Sequence, residues 1–370
     1  MLKKRVLLLT MSVGMGHLQS AEAIKKGIAE ICQESEIRLF DPLAYTNPKF
    51  ANFINNYYLW MIKVIPGFWG FIYDSKLISS KYSPVRLFTQ MKFARSIAKV
   101  LDGFRPDVVV CTHAFATCGA ASLKSKGVIN APLISVATEF DIHPYSIDKM
   151  VDLYIVPSED FKHYLEDKGI SSDKIKTCGI PIDPKFKEWK DKKGLKRDLG
   201  LEINKPVVLV LGGGFGFGVD KLVRPFKNST DSIQLIVVTG KNVRVKSKLE
   251  KEVRSFKIPV KIFGFVNNME DLMEVSDIVV TRGVGSCGAE ALSKGLPLII
   301  FKPIRGQGVK STRFLVNAGV AIQVEKACQI PETITDLLSR PNKLGKMACC
   351  IQQLAKPSSS LDIARVLVNG

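Results

Sequence analysis

The residues best suited to chemistry lie between positions 279 and 307. This stretch reads as a strand, a glycine loop (Arg282-Gly283-Val284-Gly285-Ser286), a short helix carrying Glu290, a second strand, and a loop containing Lys302, Arg305, Gly306 and Gln307. Backbone N–H groups of such a loop, backed by the positive end of the helix dipole, suit a diphosphate. Glu290 could accept from ribose hydroxyls, or simply complement the dipole of its own helix. Two further loops repeat the device. Gly14-Met15-Gly16-His17 follows the apolar run 6–9, and Gly212-Gly213-Gly214-Phe215-Gly216 follows the run 207–211.

The elements that must hold these loops are short, continuously apolar, β-branched runs alternating with helical patterns. That alternation predicts parallel sheets covered on both faces. A glycine loop heading each half of 370 residues predicts two Rossmann-like, doubly wound α/β domains facing across a cleft. The expected bounds are 1–190 and 200–345, with 346–370 as a C-terminal helix returning to the first domain. A dinucleotide site is a rival reading of Gly14-Met15-Gly16, with Asp41 near the expected ribose acid. Gln19 stands where the third glycine belongs, and an isolated G-x-G is weak evidence.

Eight cysteines without C-x-x-C spacing, and four histidines without ligand spacing, point to no disulfide framework and no metal site. The apolar run near the start is too short for a leader, and no uninterrupted apolar stretch spans a bilayer. A cytoplasmic protein is expected. The net charge of +18 calls for an anionic partner surface. Residues 49–105 hold nine Lys/Arg against two Asp, and 13 of the 31 aromatics. Trp60, Lys63, Trp69 and Phe71 form the centre of that window. Amphipathic rings beside lysine suit the headgroup region of an anionic membrane, so peripheral attachment to the inner face is expected. The competing reading packs those rings in the first core. Nucleic acid is not expected, for no recognisable module is present.

Taken in order, the motifs resemble a known family. Leu7-Leu8-Leu9-Thr10 with Ser12, Gly14, Gly16 and His17, Thr138-Glu139-Phe140 with His143, and Gly179-Ile180-Pro181-Ile182 match its first half. Thr239-Gly240-Lys241-Asn242, Gly264-Phe265-Val266, the loop 281–290, and Lys302-Pro303 to Gly306-Gln307 match its second. The family is the glycolipid glycosyltransferases that include plant monogalactosyldiacylglycerol synthase and bacterial diacylglycerol glucosyltransferase. The resemblance implies a GT-B enzyme that inverts the anomeric centre without a bound metal or cofactor. A UDP-sugar donor would sit in the second domain, and a diacylglycerol-type acceptor in the first. It implies His17 as general base, with Glu139 or His143 orienting it or holding the acceptor, and Gly14 and Gly16 near the acceptor. Phe263, Gly264, Phe265 and Val266 would hold the uracil. Gly212, Gly213, Gly214, Arg282, Gly283, Gly285, Ser286, Glu290, Arg305, Gly306 and Gln307 would bind the rest of the donor. The chain departs from the family at Arg282-Gly283-Val284-Gly285, where the family has Lys-Pro-Gly-Gly, and at Arg305-Gly306-Gln307-Gly308, where it has Pro-Gly-Gln-Glu. Those departures leave the sugar open. The other readings are transfer of N-acetylglucosamine to a polyprenyl-linked peptidoglycan intermediate and an inactive UDP-sugar-sensing membrane scaffold.

Overall fold

The computed structural model describes residues 3–11, 15–46, 57 and 83–369. Gly14, Trp60, Lys63, Trp69 and Phe71 lie outside the described residues. The chain forms two compact units. Unit 1 comprises Met1–Pro184, Arg305–Lys310 and Ser358–Gly370, and unit 2 comprises Lys185–Ile304 and Ser311–Pro357.

Among the described residues, unit 1 contains β1 (Arg5–Leu9), β2 (Glu36–Phe40), β3 (Val108–Cys111), β4 (Leu133–Val136), β5 (Leu153–Val156) and β6 (Ile175–Thr177). They form one parallel sheet in the order β2-β1-β3-β4-β5-β6. Its helices are α1 (Gly16–Ile31), α2 (Pro42–Thr46), α3 (Pro84–Gly103), α4 (Ala114–Ser125) and α5 (Glu159–Glu166). The inner strands β1, β3, β4 and β5 are mostly apolar because helices cover the sheet: Val6, Leu8, Val108, Val110, Ile134 and Ile155 pack with Ile24 and Ile28 of α1.

Unit 2 contains β7 (Val207–Leu211), β8 (Gln234–Val238), β9 (Val260–Phe263), β10 (Ile278–Thr281), β11 (Leu298–Phe301) and β12 (Ala321–Val324), in the parallel order β12-β11-β10-β7-β8-β9. Its helices are α6 (Lys192–Asp198), α7 (Val219–Val223), α8 (Val243–Glu252), α9 (Met269–Glu274), α10 (Ser286–Ser293), α11 (Gln307–Asn317, whose first four residues belong to unit 1), α12 (Gln329–Ser339) and α13 (Pro341–Leu354). Its core runs from Val208, Val210, Leu235 and Val237 to Ile330, Ile334 and Leu337. A buried ion pair, Lys294 Nζ to Glu274 Oε2 at 2.7 Å, ties α9 to the end of α10.

The last helix, α14 (Ser359–Asn369), belongs to unit 1 and lies against α1 so closely that a Cβ on Gly27 would come within 2.5 Å of the Ser360 carbonyl oxygen. Residues 346–357 lie in unit 2.

Both sheets reverse strand order once. In unit 1 the switch falls between β1 and β3; in unit 2 it falls between β7 and β10. In open parallel sheets, ligands bind at the carboxyl ends of the strands flanking such a switch. Those four strand ends carry His17, Thr112 with His113, the loop 212–218, and Arg282.

Candidate functional site

In unit 1, the loops after β1 and β3 are stitched together through His17 and Thr112. His17 Nδ1 lies 2.9 Å from the Thr112 carbonyl oxygen, and Thr112 Oγ1 donates to the His17 carbonyl at 3.2 Å. A carbonyl can only accept, so Nδ1 carries the proton and Nε2 keeps its lone pair. Thr138 Oγ1 is 2.7 Å from the same Nδ1, and its own hydroxyl reaches the Thr112 carbonyl at 3.4 Å. Burial pulls the imidazole down from 6.5 to about 4, against the opposing effect of the Thr112 carbonyl. The ring is therefore neutral at pH 7, in the form able to take a proton at Nε2.

Sequence reasoning missed the neighbours that arrange this ring. His113 meets it edge-on, with ring centroids 4.4 Å apart. His113 caps α4, its Nδ1 accepting from Phe115 N at 3.1 Å, so its proton is on Nε2. Burial, reinforced by His17 and His143, holds His113 well below the usual range. His143 does the same for the short turn Pro144–Ser146, accepting from Tyr145 N at 3.1 Å while its ring packs on Tyr145 and Phe115. Three imidazoles thus share one apolar surround with three fixed tautomers. Among the described residues no group of three or more His, Cys, Asp or Glu is arranged to hold a metal ion.

Glu139 is partly buried and accepts from Gln307 Nε2 at 3.2 Å. Burial, and secondarily Asp141, push its carboxyl up to about 8, with the Gln307 bond opposing. Gln307 and Gly306, the latter at φ +85°, fall within unit 1, and Arg305 beside them is exposed. Gly16 is the first residue of α1. Asp41, the acid of the dinucleotide reading, caps α2 through bonds from Leu43 N and Ala44 N, at 2.8 and 3.1 Å.

In unit 2, the glycine loop after β7 owes its composition to close packing. A Cβ on Gly216 (φ +63°) would come 2.0 Å from the Thr239 carbonyl oxygen, and one on Gly240 (φ +56°) would come 2.5 Å from that of Gly214. Residues 212–216 are locked in this way to the loop after β8. Across the switch, Arg282 lies over Gly218, where a Cβ would sit 2.5 Å from Nη1. Its Nε donates to the Lys302 carbonyl at 3.2 Å, and burial lowers its pKa while Asp220 acts the other way. Lys302 has φ +43°, the one described non-glycine residue in the left-handed region. Strain of that kind concentrates at functional loops, and here it turns a carbonyl toward Arg282.

The Gly283 N–H is already used by Thr281 Oγ1 at 3.2 Å. Gly285 caps α10 with no side-chain bond, so the amides left to an anion are those opening the helix at Ser286, which is itself buried. Glu290 lies one turn on, partly buried. Phe263 spends its carbonyl on Thr239, whose N and Oγ1 lie at 2.9 and 3.1 Å. Phe265 projects, 49% exposed, with Lys241 Nζ 5.6 Å from its ring centroid; Gly264 and Val266 flank it, partly buried.

Comparison with known proteins follows the same division. Residues 17–182 match the monogalactosyldiacylglycerol (MGDG) synthase family model, and residues 207–361 match the glycosyltransferase family 28 C-terminal domain. The chain is 26% identical over 366 residues to the processive diacylglycerol beta-glucosyltransferase of Bacillus subtilis, covering 96% of this chain and 93% of that protein. It is 28% identical over 374 residues to monogalactosyldiacylglycerol synthase 1 of Arabidopsis thaliana, covering 97% of this chain and 70% of that protein. Among solved structures, the glycosyltransferase of kitacinnamycin superposes with a TM-score of 0.67 at 15% identity, over 99% of both chains. MurG of Acinetobacter baumannii superposes at 0.65 with 14% identity, over 99% of this chain and all of that one. These two share the GT-B fold. With two parallel six-stranded sheets, the chain carries a monogalactosyldiacylglycerol synthase domain followed by a glycosyltransferase family 28 C-terminal domain, and it is a glycosyltransferase of GT-B fold.

Proposed function

We propose that this protein transfers a hexose from a UDP-sugar to the free hydroxyl of a diacylglycerol-type lipid, with inversion, at an anionic membrane surface. The observation that carries the mechanism is the contact of His17 Nδ1 with the Thr112 carbonyl oxygen at 2.9 Å. The Thr112 carbonyl holds Nδ1–H, leaving Nε2 to take the acceptor's proton as its oxygen attacks the sugar C1. The C1–O bond to the β-phosphate breaks, and its electron pair leaves with UDP. The charge arriving on Nδ1–H is stabilised by the same carbonyl, with the Thr138 hydroxyl beside it.

On the donor side, the growing diphosphate charge falls on the first amides of α10 and on Arg282, a partly desolvated guanidinium with no carboxylate at ion-pair distance among the described residues. Glu290 accepts from the ribose, and Phe265 covers the base. Glu139, protonated at neutral pH, can donate to the substrate while Gln307 holds it. Unit 1 is the acceptor domain and unit 2 the donor domain. The chain works on the inner face of a membrane without spanning it. Among the described residues no helix is long and apolar enough to cross one.

The test is a panel of radiolabelled UDP-glucose, UDP-galactose and UDP-N-acetylglucosamine, each incubated with the protein and vesicles carrying diacylglycerol or a polyprenyl-linked acceptor. Label extracted with diacylglycerol supports the proposal. Label only with the polyprenyl lipid, or none with either, refutes it.

A further inference from the structure

A second basic and aromatic feature lies in unit 2, far along the sequence from the membrane candidates of residues 49–105. Phe215, Phe217, Lys241, Asn242, Val243 and Arg244 line an open cavity of about 360 Å³, the size of a small-molecule pocket. The two phenylalanine rings sit 6.0 Å apart on the loop after β7, pinned there by the glycine packing already described. Val243, in the same lining, is 71% exposed, the highest value of the exposed large hydrophobic side chains among the described residues.

Charge at this mouth runs against the helix behind it. Residues 241–257 carry seven Lys/Arg and two Glu. Both glutamates of that segment are already engaged, Glu250 by Lys246 and Glu252 by Arg224 and Lys248. Lys241 and Arg244 have no carboxylate at ion-pair distance among the described residues, and no acidic residue occupies the first turn of α8. A cation there opposes the helix dipole. Local choices that work against stability mark places shaped by a partner.

We propose that this mouth is a docking surface for the anionic headgroup layer of a phospholipid bilayer, with a headgroup phosphate taken between Lys241 and Arg244 and Val243 entering the interface. Charge complementarity selects the partner. Aromatic rings and an exposed valine beside unpaired cations are the composition of an interfacial contact, whereas a nucleic-acid groove would be lined with small polar groups. The inference takes from the proposed function only that the acceptor is a lipid. It requires neither a particular sugar nor turnover, and it is separate from any contact made by residues 49–105.

The experiment compares the full-length protein with Val243→Glu/Arg244→Glu and with Phe217→Ser, by co-sedimentation with phosphatidylcholine vesicles with and without phosphatidylglycerol. Glutamates in the first turn of α8 favour the helix, so lost binding cannot be blamed on unfolding, and circular dichroism confirms it. UDP affinity by calorimetry, and transfer to acceptor in detergent micelles, are measured beside it. The expected result is at least a tenfold loss of affinity for anionic vesicles in the double variant, a smaller loss in Phe217→Ser, and unchanged UDP binding. Anionic-vesicle binding within twofold of wild type would overturn the proposal. So would a matching loss of UDP affinity, which would place the cavity in the donor site. Binding of a labelled RNA duplex that the same variants abolish, with vesicle binding intact, would also overturn it.

Discussion

Replacing Thr138 with valine tests the arrangement around His17 at a position that need not touch substrate. Valine keeps the volume and one methyl of threonine but puts a second methyl where the hydroxyl was. That hydroxyl lies 2.7 Å from Nδ1, whereas a methyl carbon needs about 3.5 Å of separation. The ring must move or the methyl must turn away. A lost neutral hydrogen bond is worth about 0.5–1.5 kcal/mol, and the displacement adds about 0.5–1.5 kcal/mol through a strained rotamer. Together these amount to about 1–3 kcal/mol, roughly 5- to 150-fold in kcat/KM. Thr138→Ser keeps the hydroxyl and should stay within about threefold. UDP affinity should be unchanged in both. A valine variant at wild-type rate, or a serine variant as slow as valine, would refute the reasoning that Thr138 positions the base.

Other consequences are equally open to measurement. Because burial holds His17 at about 4, and a base works deprotonated, the acid limb of kcat/KM should fall near pH 4, with no break near 6.5. Glu139, raised to about 8, makes the folded state bind more protons than the unfolded one between its ordinary value of 4.5 and about 8. Stability should thus decline as pH rises through that window, and Glu139→Gln should flatten the decline in thermal melts. Gly216→Ala should destabilise far more than Gly213→Ala. Both have positive φ, costing about 1–2 kcal/mol, but only the Gly216 Cβ meets backbone, at 2.0 Å, while that of Gly213 meets nothing within 4 Å. Lys294→Ala strands Glu274 in the interior and should cost about 3–5 kcal/mol in urea unfolding, whereas Lys294→Met with Glu274→Leu should cost much less.

The sheet architecture was legible because each buried parallel strand is a compact apolar run, as in Val207–Leu211, and each functional loop follows one. The glycine loop 212–216 was legible as a loop, but its packing against the loop after β8 was not. Gly216 and Gly240 let two loops of the same unit touch, which no single-chain pattern distinguishes from a phosphate cradle. The tie between Thr112 and His17 was invisible for a different reason. Its acceptor is a main-chain carbonyl, so the residue type at 112 says nothing about it; only the strand order places it beside His17. Thr138 was visible as part of a motif but overshadowed by the acid after it, and His113 belongs to none of the motifs. Asp41 shows the opposite hazard: an acid at the spacing of a ribose ligand that serves as a helix cap.

His17 offers the most direct test of the central claim. Initial rates of hexose transfer from the preferred UDP-sugar to diacylglycerol should be measured for the wild type and His17→Ala, with UDP affinity determined on the same samples. General base catalysis is worth roughly 10²–10⁴-fold, so the variant should lose that much in kcat while binding UDP as before. The glycolipid formed by the wild type should carry the anomeric configuration opposite to that of the donor. A His17→Ala enzyme retaining more than about a tenth of wild-type turnover, or a product that retains the donor's configuration, would contradict the mechanism.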